Sequence, residues 1–151
     1  MIVAIVLIAV GIVALVAVAI VLRGRRDDQL AELQRTPGYD LAIPGGELAW
    51  DTVGGSVGGA GANRTRVWTV RGSLDAVTAH VDAELARLGY ERVAGRGGDG
   101  LIGEYRLGVT RVVVTWVGLP HRLPGGRFVV SGYDFVVYPT IENGERARVG
   151  S

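Results

Sequence analysis

The sequence predicts a single N-terminal transmembrane helix followed by a small α+β domain, an antiparallel sheet of about five strands with one helix in the order βαββββ. Three observations carry that expectation. Residues Met1 to Leu22 hold no charged or polar side chain and are followed at once by Arg23, Arg25 and Arg26. Leu74, Val77, Val81, Leu85 and Leu88 recur at three- and four-residue steps, the stripe of one amphipathic helix. Runs rich in β-branched and aromatic residues, separated by glycine turns, surround that stripe.

At a rise of ~1.5 Å per residue, residues 1–22 span roughly 33 Å as a helix, enough to cross the ~30 Å hydrocarbon core. A cleaved leader needs a basic segment ahead of a shorter apolar run, so the span is expected to be retained, although Ala17-Val18-Ala19 imitates a cleavage pattern. The arginines on its C-terminal flank orient it with the N-terminus outside and the following domain in the cytoplasm of a cell membrane. They also suit contact with anionic lipid, so the bilayer is the first partner expected. The span lacks ionisable residues, which argues against an ion or proton pathway.

The chain has 151 residues, a formal net charge of +1 and no cysteine. Near-neutrality argues against a nucleic-acid partner, and the missing thiols exclude disulfides and thiol lipidation. Residues 23–62 read as a juxtamembrane helix, Asp27 to Arg35, ended by Pro37-Gly38, and then a glycine-rich linker. Within that linker Leu41, Ile43, Leu48, Trp50 and Val53 suggest partial docking, with a short strand near Leu48 to Val53. Gly54-Gly55 and Gly58-Gly59 lack the Lys-Ser/Thr ending and the strand-to-helix setting of a phosphate loop.

Residues 63–139 form the expected α+β domain, and 140–151 its tail. Arg64 to Arg71 reads as a strand; Ser73 is a good N-cap for the helix and Gly89 ends it. Tyr90 to Ala94 is a short strand, and Leu101 to Leu107 with Val109 to Val117 form a hairpin about Gly108. Phe128 to Tyr138 reads as the longest strand, after a surface loop, residues 118–126, with two prolines and a double glycine.

No catalytic set, cofactor motif or metal motif stands out. With two histidines and no cysteine, zinc would need distant carboxylates. His80 falls off the helix stripe, beside Glu84, on a solvated face. His121 and Arg122 lie in the 118–126 loop, and Asp134 lies inside an apolar run, where a covered face would require it to pair with Arg106 or Arg111. These three are the candidate ligand or partner site. Asn63-Arg64-Thr65 fits a glycosylation sequon, inert in the cytoplasm.

Large apolar residues occupy both parities of Val109 to Val117 and of Phe128 to Tyr138, whereas one helix covers one sheet face. The other face needs the Leu41 to Val53 segment, a second copy, another protein or lipid head groups. The resulting expectation is a non-enzymatic interaction module at the cytoplasmic membrane surface. The alternative is a small-ligand sensor or enzyme with its site near the 118–126 loop.

Overall fold

The computed structural model describes residues 18–21, 23–24, 27–55, 61–98, 100–119, 121–122, 126, 128–129 and 132–144, with the backbone alone for 55, 121, 122, 128 and 129. Residues 18–21, 23–24 and 27–34 are helical, and the last stretch is α1. Most of the predicted span, residues 1–17 and 22, lies outside the described residues, as do Arg25 and Arg26. Among the described residues no helix is long and apolar enough to cross a membrane.

After α1 the chain forms β1 (Gly46–Gly55), β2 (Ala62–Val70), α2 (Leu74–Arg87), β3 (Glu91–Ala94), β4 (Leu101–Leu107) and β5 (Thr110–Gly118). Two short strands, β6 (His121–Arg122) and β7 (Phe128–Val129), pair with each other, and β8 (Phe135–Asn143) completes the fold. Six strands make one antiparallel sheet in the order β1-β2-β8-β5-β4-β3, one more strand than the sequence predicts. The extra strand is β1, which takes in the short strand expected near Leu48 to Val53 within the linker and extends it from Gly46 to Gly55. Its residues pair with β2 over their full length through a bulge between Leu48 and Trp50.

The longest predicted strand is misplaced. Residues 128–129 belong to the separate β6–β7 ribbon, and β8 begins at Phe135 and runs on through Pro139 into the expected tail. Proline lacks the N–H a central strand normally donates. β8 accommodates it because the β2–β8 ladder has no paired residues between Thr65↔Thr140 and Trp68↔Val137.

α2 forms where its stripe and caps predict. The Ser73 hydroxyl accepts from the Asp75 and Ala76 N–H groups, and Val77, Val81 and Leu85 are buried. Gly89, at φ 89°, takes the left-handed turn that lets Tyr90 start down β3. On the sheet's helix face these residues join Val70, Ile102, Tyr105, Val112, Val114, Phe135, Val137 and Ile141 in the main core. Leu33 of α1 and Leu41 and Ile43 of the strap that follows it, residues 36–45, lie in this same core. The Leu41 to Val53 segment, expected to cover the opposite face, divides: Leu41 and Ile43 lie in the helix-face core beside α2, and Trp50 packs on the opposite face.

Candidate functional site

Strand pairing places α1 and the loops at different ends of the sheet. Thr36, just past α1, donates its hydroxyl to Glu32 O and exchanges hydrogen bonds with the Asn143 side chain, which also accepts from Thr110 Oγ1. The Tyr90 hydroxyl donates to Pro37 O at 2.7 Å. The β4–β5 turn and the end of β8 meet here, where Gly144 N donates to Val109 O. An open depression of about 400 Å³ between Arg35 and Val109 marks the same end. At the opposite end, roughly 30 Å away along nine-residue β5, lie Gly46, the β2–α2 corner and the β6–β7 ribbon.

Asp134 stands at that far end. It precedes β8, is exposed, and its Oδ2 accepts from Gly72 N at 2.7 Å while its own N–H donates to Val70 O at 2.8 Å. Its carboxylate therefore pins the β2–α2 corner, and the expected pairing with Arg106 or Arg111 is not made. Those arginines are at the other end, where Arg106 bonds Glu104 at 3.2 Å and Arg111 bonds Glu104 at 2.9 Å and Glu142 at 3.5 Å. The backbones of His121 and Arg122 form β6, opposite Val129 and Phe128; their side chains lie outside the described residues. No described contact joins Asp134 to either. His80 is exposed on α2, and Glu84 bonds Arg87 rather than the histidine, at 2.6 Å.

The open face has its own small cluster. Val67 and Val136 are fully buried there beneath Trp50, Leu119, Tyr133 and Tyr138. Tyr133 is held from two sides: its hydroxyl donates to Glu47 Oε2 at 2.6 Å, and the Arg71 guanidinium stacks 4.9 Å from its ring centroid. Cover for this face thus comes from β1 and from the residues bracketing the β6–β7 ribbon.

Sequence reasoning missed the most constructed polar cluster. Arg64 and Arg66 alternate along β2 and face the strap. Arg64 bonds Asp51 through two nitrogens, at 2.9 and 2.6 Å, and reaches Asp40 and the Tyr39 carbonyl. Its guanidinium also stacks on the Tyr39 ring at 3.9 Å. Arg66 bonds Asp40 and the Leu41 carbonyl. Arg64, with Arg66 adding to it, holds the Asp40 and Asp51 carboxyls below their ordinary range against the opposing effect of burial. Two cations and two anions cancel, so the cluster is a clamp that fastens the strap to the first hairpin. The only legible signal was the Arg-x-Arg alternation on one face of a predicted strand.

Among the described residues no three His, Cys, Asp or Glu side chains gather as a metal-binding group. Compared with protein-family models, curated proteins and solved structures, the chain matches none.

Among the described residues, the two outer edges of the sheet have no partner strand. β1 and β3 terminate the sheet. β3 has four residues, a bulge between Arg92 and Ala94, and Arg92 turned back to Asp82 at 2.9 Å. β1 has ten residues, no proline and no basic side chain, and Leu48 and Val53 are 49% and 40% exposed. Outward-pointing amide and carbonyl groups along such an edge accept another strand.

Proposed function

We propose that this chain is a non-enzymatic interaction module held by one N-terminal span at the cytoplasmic face of a cell membrane, where its sheet binds a partner protein. The observation that carries the proposal is the length of the β1 edge, ten residues without a proline and, among the described residues, without a partner strand on its outer side, against four residues for the β3 edge. Its polar clusters otherwise serve the fold: the arginine clamp, the Asp134 corner pin and the Arg92–Asp82 pair each join two elements.

The anchor rests on the apolar run of residues 1–22 with Arg23, Arg25 and Arg26 behind it. Helical Val18, Ile20 and Val21 are 55%, 66% and 55% exposed, so the domain gives them no cover. The strap then delivers the domain in a set orientation. α1 spans about 12 Å at ~1.5 Å per residue, which keeps the anchor side near the Thr36–Asn143 end and leaves the loop end farther off.

The test compares the full chain with residues 27–151 in native membranes. The full chain is expected to resist alkaline extraction and the shorter one to be released; a reporter fused to Ser151 that works only outside the cytoplasm is expected to be silent. Release of the full chain, or an active reporter, would overturn the anchored or the cytoplasmic part of the proposal respectively.

A further inference from the structure

We draw no further inference here: the strongest candidate, the outer edge of β1, which has no partner strand among the described residues, belongs to the proposed function already given, and nothing in the structure shows what covers it, since Asp51 is taken up by Arg64 and Glu47 by Tyr133.

Discussion

The two faces of the sheet are built on different principles. The helix face is closed by α2, α1 and the strap, whose Val77, Val81, Leu85, Leu33, Leu41 and Ile43 form one continuous core with the strands. The open face has two fully buried valines roofed by four partly exposed large side chains, and beyond them an ion-pair ladder from Glu104 through Arg111 to Glu142. The larger apolar core therefore lies on one face and a smaller one on the other. An edge strand belongs to both: β1 buries Trp50 on the open face and gives Asp51 to the clamp on the other.

The largest effect that tests this contrast is Leu33→Ala. Leu33 is fully buried although it lies outside the expected domain, and its truncation should cost about 2–5 kcal/mol in denaturant unfolding. A loss near zero would mean that α1 is a dispensable appendage. A like-for-like pair comes next, because Val114 on the helix face and Val136 on the open face are both 0% exposed. Val114→Ala should cost about 2–3 kcal/mol and Val136→Ala about 1–2 kcal/mol, since the rings roofing Val136 can settle into the space. Equal losses would erase the distinction between the faces.

Titration sharpens the same comparison. Burial pushes the Tyr90 hydroxyl up to about 12 from 10.0, and burial also raises Tyr105, which donates to Asp82 at 2.6 Å. A raised folded value favours the neutral phenol in the fold, so this stability is whole below pH 10 and is lost as pH climbs through about 12. Tyr90→Phe should cost about 1 kcal/mol at neutral pH, from the lost bond to Pro37, and flatten the alkaline fall. Asp40 and Asp51 work at the other extreme. Their values lie below the ordinary 3.8, so their contribution is steady above that pH and disappears as pH falls through the lowered values. Strap release, followed by Tyr39 fluorescence in a chain retaining only that tyrosine's signal, should therefore occur only in strong acid. The smallest effect belongs to the open-face ladder: Glu142→Gln should change stability by less than about 0.5 kcal/mol, because the pair is largely exposed.

Elements with a local cause were the legible ones. α2 announces itself through Ser73, its apolar stripe and Gly89, and the β4–β5 hairpin through Gly108, whose φ of 59° suits its turn. The middle of β1, Leu48 to Val53, was legible as a short strand, but the ends of β1 and of β8 were hidden because their local residues point elsewhere. Glycines 54 and 55 resemble a linker, Pro139 resembles a stop, and only pairing with distant strands makes either segment extended. The candidate site divides the same way. Asp134 was singled out for lying in an apolar run, but its partner, the Gly72 N–H, is set by a corner 62 residues away in sequence. Of Arg64 and Arg66 the sequence shows only alternation; their partners Asp40 and Asp51 are chosen by the path of the strap.

The strand order has a consequence for how the molecule is assembled. β8 is the last of the described strands along the chain yet sits in the middle of the sheet, between β2 and β5. The β1–β2 hairpin and the β3–β4–β5 meander can each form as soon as they are made, but they are two separate sheets until the final strand slides between them. Thr36 waits for Asn143, 107 residues later, before its side chain finds its partner. During synthesis the chain thus holds two half-sheets with open inner edges until β8 is made, and β8 is the keystone whose arrival makes them one.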